Sequence, residues 1–276
     1  MDALNPALER EYNNRALVPE HPAIFSRWRN ASAVFRRDAD ATLDLAYGED
    51  ERHRLDIFRA PAARGTVIFI HGGYWRSLDK SDFSFVAAPF VAQGLSVAAF
   101  NYRLCPSVGV ADIVGDCRNA FAWLLDNGAG HGAPNDHVAL CGHSAGGHLV
   151  AMMFATDWAA HPVAARCIVG GVALSAVSDL SPLLQCSMNE QLKLDAASAY
   201  AASPVHHSPR LSVPLHLAVG ADESDAFREQ SFGLQRAWPE ACRSVDEIAG
   251  CNHFTIVDDF VRIRSGGVEF LTRLFD

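Results

Sequence analysis

The stretch Val138–Phe154, VALCGHSAGGHLVAMMF, sets an apolar run, a glycine-flanked serine and a second apolar run in direct succession. Few backbones accommodate that text. The first run is continuously apolar rather than alternating, which reads as a strand buried on both faces. The second is compatible with a buried helix. Between them, Gly142-His143-Ser144-Ala145-Gly146 leaves room only for a tight turn, so Ser144 stands where a strand reverses into a helix. Glycines at 142 and 146 remove side chains that would collide with neighbouring elements. The Ser144 hydroxyl is then held at the carboxyl end of a sheet, above the free N–H groups of a helix start, where developing negative charge is favoured.

A strand–turn–helix of this kind belongs in an alternating α/β chain, and the remaining text agrees. Strands are expected over Leu43–Tyr47, Arg54–Phe58, Val67–Ile70, Ser96–Asn101, Val138–Cys141, Cys167–Leu174, Leu215–Val219 and Ser244–Ile248. Ile113, Cys117, Phe121 and Leu124 recur at helical spacing, as do residues of Phe227–Trp238 and the closing Val268, Leu271 and Leu274. The implied architecture is a doubly wound, mostly parallel sheet with an N-terminal hairpin and helices on both faces. With 276 residues and no evident linker or repeat, residues 1–276 read as one domain. Residues 1–40 form a helical or irregular extension that packs on it. Residues 180–209 lack strand character and read as a small inserted cap.

Bulk properties narrow the function classes. A net charge of -9, with Lys80 and Lys193 the only lysines, argues against a nucleic-acid partner. No apolar stretch approaches the ~18 residues needed to span a bilayer, so no membrane partner is expected. Met1–Arg10 has no apolar core of the secretory kind. Seven cysteines, an odd number set largely within apolar patterns, point to free thiols and a cytoplasmic location. His143 and His148 flank the serine, and His206-His207 are adjacent, but no metal-ligand spacing exists. A small-molecule substrate with no metal and no cofactor is the expectation, and the oligomeric state is left open, a homodimer included.

A serine needs a base, and the base needs an orienting carboxylate. On a sheet of this kind the chain order is serine, acid, histidine. The acid should follow a late strand, and VPLHLAVGADESDAF (Val213–Phe227) offers Asp222, Glu223 and Asp225. Counting three residues past Gly220 selects Glu223, with Asp222 the second choice. The histidine should come last, and His253 in IAGCNHFTIVDDF (Ile248–Phe260) is the only one there. Acyl transfer also develops an oxyanion, which preorganised N–H donors stabilise by several kcal/mol, ~3 for a single donor. Ala145 supplies one such amide. HGGYW (His71–Trp75), directly after an apolar strand, supplies Gly72 and Gly73, with His71 anchoring the loop. Tyr74 and Trp75 are read as lining the substrate site, although packing in the interior is an equal possibility for either ring.

Taken together, HGGYW, GHSAGGH, EYNNR, YGEDERHRLDIF, VGADESDAFREQS and NHFTIV resemble the kynurenine formamidase (arylformamidase) group of serine α/β-hydrolases, relatives of the hormone-sensitive-lipase-like esterases. The resemblance implies the α/β-hydrolase fold, with Ser144 as nucleophile, His253 as base, and Gly72, Gly73 and Ala145 as oxyanion donors. At the position of the acid, usually aspartate in the group, this chain has Glu223. The implied reaction removes the formyl group from N-formyl-L-kynurenine through an acyl-enzyme. A short-chain carboxylesterase with the same three residues is the alternative.

Overall fold

A computed structural model describes residues 4–159, 162–262 and 265–276. Its strands β1 (Ala41–Ala46), β2 (Arg54–Phe58), β3 (Thr66–Ile70), β4 (Ser96–Phe100), β5 (Val138–His143), β6 (Ile168–Leu174), β7 (Leu215–Gly220) and β8 (Val245–Ile248) form one sheet. The spatial order is β1-β2-β4-β3-β5-β6-β7-β8. β2 runs antiparallel to both β1 and β4, and all pairings from β4 to β8 are parallel. All eight expected strands are present, each displaced by two residues or fewer at either end. The chain has the α/β-hydrolase architecture, with the hairpin β1–β2 closing one edge of the sheet.

The continuous apolar runs split as a pleat requires. Ile68 and Ile70 of β3, with Val138 and Leu140 of β5, face a core shared with the helices Val110–Asn127 and Ala145–Ala155. Val67 and Phe69, with Ala139 and Cys141, face a second core on the opposite side. β3, β4 and β5 are buried along their whole length. Full burial of each such side chain contributes about 1.5–3 kcal/mol, and these fully buried strands lie directly beneath the serine turn.

The first residues form three helices, α1 (Pro6–Tyr12), α2 (Asn14–Leu17) and α3 (His21–Asp38). Asn5 and Asn13 cap the first two by accepting N–H bonds from Ala7 and Leu8, and from Ala16. α3 buries Ile24, Phe25 and Trp28 in the second core. It is further tied down by Arg36, which pairs with the buried Asp56 of β2. Asp56 also accepts from Lys80 Nζ at 2.8 Å, so its charge is compensated twice. Residues 180–209 form short helical turns, among them Ser181–Gln185, Asn189–Leu192 and Ala196–Ala201. They meet α1 through the Asn5 amide, which donates to the Gln185 carbonyl at 2.8 Å. No described helix is long and apolar enough to cross a membrane.

Sheet order decides where a site can form. From β3 the chain goes first to β4 on one side and only later to β5 on the other. The connections leaving β3 and β5 therefore diverge, and a crevice opens above the carboxyl ends of these two strands. Both glycine-rich motifs of the sequence emerge at that crevice.

Candidate active site

Ser144 sits between β5 and the helix Ala145–Ala155 with φ 57° and ψ -119°, a conformation that ordinary residues avoid. The flanking glycines explain how it is held. A Cβ on Gly142 would lie 2.3 Å from the Gly146 carbonyl oxygen, and one on Gly146 would lie 1.9 Å from that of Ile70 at the end of β3. The turn is thus pressed against its neighbouring strand, and only glycine fits at either shoulder.

His253 and Glu223 arrive from the loops after β8 and β7. The Ser144 hydroxyl lies 3.0 Å from His253 Nε2. His253 Nδ1 lies 2.7 Å from Glu223 Oε2. A carboxylate can only accept, so Nδ1 carries the proton and Nε2 presents its lone pair to the serine. The other carboxylate oxygen accepts from the Gly220 amide at 2.8 Å and from the Ser175 hydroxyl. Glu223 is buried, and these three donors offset the cost of dehydrating its charge. Asp222 and Asp225 are both exposed and neither touches His253. The Phe227 ring packs on the imidazole with centres 4.6 Å apart, and the His253 backbone carbonyl accepts the Nε2–H of His143 at 2.7 Å. Burial, with the His253 imidazole close by, holds the His143 pKa well below its ordinary value, so that donor stays a neutral imidazole.

The loop after β3 completes the floor. A Cβ on Gly72 would meet the His143 carbonyl oxygen at 2.8 Å and Ser144 Cβ at 3.1 Å, so its backbone lies directly against the serine. Gly73 has φ +109°. Among the described residues, no protein acceptor engages the amides of Gly72, Gly73 or Ala145. His71 anchors the loop as expected. Its Nδ1–H donates to the Gly72 carbonyl at 2.7 Å, and its ring stacks on Tyr102 at 4.5 Å. Burial pushes its pKa down to about 4, which keeps it neutral.

The two aromatics of this loop part company. Tyr74 lines the cleft above Ser144 and donates its hydroxyl to the Tyr12 carbonyl at 2.7 Å. Trp75 does not line the cleft. It is fully buried in the core, where its Nε1–H donates to His148 Nδ1 at 3.2 Å. The expectation that Trp75 contacts substrate is corrected by this placement: an indole N–H needs a partner when buried, and the partner lies in the interior. His148 in turn donates Nε2–H to the Ala202 carbonyl at 2.7 Å, and burial lowers its pKa to about 4.

Above Ser144 and His253 lies a narrow cavity of about 60 Å³, roofed by Tyr12, Asn14 and Arg15 of the N-terminal helices and walled by Tyr74 and Arg76. A roof from the first twenty residues is what the sequence reading missed. Its trace in the sequence is EYNNR (Glu11–Arg15), noted in the resemblance without any role.

With this geometry in place, comparison with known proteins is decisive for the family. The kynurenine formamidase of Danio rerio is 32% identical over 87% of this chain and 83% of its own length. This chain belongs to the kynurenine formamidase family. The kynurenine formamidase of Salmo salar is 31% identical over 81% of the chain and 78% of its own length. The BD-FAE family matches residues 55–167, the block from β2 to the end of the Pro162–Cys167 helix. Among solved structures, a Silicibacter protein assigned provisionally as a thioesterase superposes with a TM-score of 0.86, at 34% identity over 97% of this chain and 98% of its own. Esterase B of Lactobacillus rhamnosis shares the fold, with a TM-score of 0.70 at 20% identity over 96% of this chain and 95% of its own. As a member of the kynurenine formamidase family, the chain is an enzyme, a hydrolase of the α/β-hydrolase type.

Proposed function

We propose that the enzyme is a serine hydrolase that removes a formyl group from an aryl amide, N-formyl-L-kynurenine being the substrate that the resemblance to the kynurenine formamidases implies. The observation that carries the serine mechanism is the hydrogen-bonded chain Ser144 Oγ, His253 and Glu223, with distances of 3.0 and 2.7 Å, beside three unengaged amides. Ser144 Oγ attacks the formyl carbon while His253 Nε2 takes the hydroxyl proton. The oxyanion that forms is held by the amides of Gly72, Gly73 and Ala145, which no protein acceptor engages among the described residues. Glu223 keeps the imidazole in the needed tautomer and stabilises the imidazolium. His253 then protonates the departing aniline nitrogen, the C–N bond breaks, and a formyl ester remains on Ser144. Water, deprotonated by His253, attacks that ester, releasing formate and restoring the hydroxyl.

Seven cysteines, all free and all buried, are in keeping with action in the reducing cytoplasm. Measuring kcat/KM on N-formyl-L-kynurenine and on p-nitrophenyl acetate tests the reading. The formamide should be hydrolysed the faster, and ester turnover equal to or above it would make the enzyme a short-chain carboxylesterase instead.

A further inference from the structure

The walls of the cleft carry two guanidinium groups against a single lining carboxylate, Glu9, which feels the charge of Arg76. Arg15 of α2 and Arg76, which follows HGGYW, both line it. Among the described residues neither makes an ion pair, in contrast to Arg36 and Arg103, which are matched with buried aspartates. Arg15 donates Nη2–H to Ser77 Oγ at 3.1 Å and lies 5.8 Å over the Phe25 ring. Arg76 donates Nη1–H to Gln191 Oε1 at 2.6 Å. A guanidinium has five N–H donors, so most of the donors on each are free of protein acceptors among the described residues. The two cations also feel one another: partial burial, and then the charge of Arg76, lower the pKa of Arg15.

Other cleft groups point the same way. Asn14 is 4% exposed, lines the cleft beside Arg15, and its Nδ2 has no acceptor. A buried donor in that state is costly until an acceptor reaches it. The one acidic side chain on the wall, Glu9, has its oxygens engaged by Ser187 N, Ser187 Oγ and Asn13 Nδ2. Two arginines against one glutamate leave the roof with a net charge of +1.

We propose that Arg15, Arg76 and Asn14 form a carboxylate subsite, so that the enzyme selects substrates whose leaving group bears an anionic substituent. The reacting carbonyl sits over Ser144 on the floor, and the carboxylate of the leaving group reaches the donors of the roof. Arginine is suited to this because its planar fork matches a carboxylate. The identity of the leaving group rests on the formamidase reading given above; the charge preference of the cleft does not.

The test uses two aryl acetates that differ only in charge, 4-acetoxybenzoate and 4-acetoxybenzamide, with N-formyl-L-kynurenine in parallel. The ratio of kcat/KM for the benzoate over the benzamide should fall about 10- to 100-fold in R15Q/R76Q. The change should sit in KM rather than kcat, because the group is remote from the bond that breaks. R76K, which keeps the charge and loses the fork, should give an intermediate ratio. Asn14→Asp, a nearly isosteric change independent of the arginines, should lower the ratio as well. Raising salt from about 50 to about 500 mM should erode the wild-type ratio by screening. A ratio that stays within about twofold of wild type in both R15Q/R76Q and Asn14→Asp would overturn the subsite. Turnover of N-formyl-L-kynurenine that is indifferent to these substitutions overturns it too, while leaving the formamidase reading intact. A charge preference that depends on the arginines, without turnover of N-formyl-L-kynurenine, supports the subsite and removes the formamidase reading instead.

Discussion

On the floor of the cleft the polar atoms of Ser144, His253 and Glu223 are paired with one another, whereas on the roof Arg15, Arg76 and Asn14 hold donors in reserve. The floor is built from strand ends. Its backbone is strained at Tyr74, Trp75, Ser144 and Ser175, all at positive φ, and the strain is held by packing against a rigid sheet. The roof is built largely from short helices capped by asparagines, which bury Tyr12 and Asn14 and leave most of their other residues at or near the surface. The contrast separates two kinds of preorganisation. In the mechanism proposed above, the floor is complementary to charge that exists only while the bond is breaking, and the roof to charge that the substrate brings with it. On that proposal the first kind governs kcat, and the second governs which molecules arrive.

Substitutions on the floor should break this division most visibly. Ser144→Ala is expected to lower kcat by about 10⁴- to 10⁶-fold while the thermal unfolding midpoint stays near that of wild type. A variant that keeps substantial turnover would remove Ser144 from the reaction. Next in size, Glu223→Gln should cost about 10²- to 10⁴-fold in kcat by disturbing the imidazole tautomer. Asp222→Asn, one residue away but exposed, should stay within about twofold of wild type; the reverse ranking would move the acid to Asp222.

An effect on stability rather than turnover concerns the histidines beneath the floor. Burial holds His71 and His148 at about 4 in the folded protein, against an ordinary value of 6.5. As the pH falls, the unfolded chain takes up these protons first, so folding stability is complete above about pH 6.5 and drains away toward pH 4. The loss is on the order of 3 kcal/mol per histidine. Urea midpoints measured between pH 7.5 and 4.5 should decline through that window, and a flat profile would show that these rings protonate without unfolding.

The floor was legible in the sequence and most of the roof was not, for a physical reason. Strand ends leave local marks: apolar runs, glycines at collision points, and turn residues at fixed offsets. Counting three residues past Gly220 finds Glu223 because Gly220 is itself constrained. Its Cβ would lie 2.2 Å from the Cys251 carbonyl oxygen, so the loop carrying His253 presses on that turn, and its amide binds the glutamate. The roof depends on contacts between residues far apart in the chain, such as Tyr12 with Tyr74 and Gln230, 62 and 218 positions away. Trp75 shows the same limit. A large aromatic on a loop reads alike whether it faces substrate or interior, and only the distant partner His148 decides between them.

That partner has a consequence for anyone who would transplant the loop. Trp75 lies just past the Gly72 and Gly73 amides, and His148 is four residues beyond Ser144, so one indole N–H fastens the two halves of the floor together. The spacing between them is a property of the pair and belongs to neither loop alone. HGGYW moved into another hydrolase of this architecture would carry a buried donor with nothing to receive it. Positions 75 and 148 are therefore coupled: a redesign that changes one must supply a new match at the other, or replace both with groups that pack without hydrogen bonds.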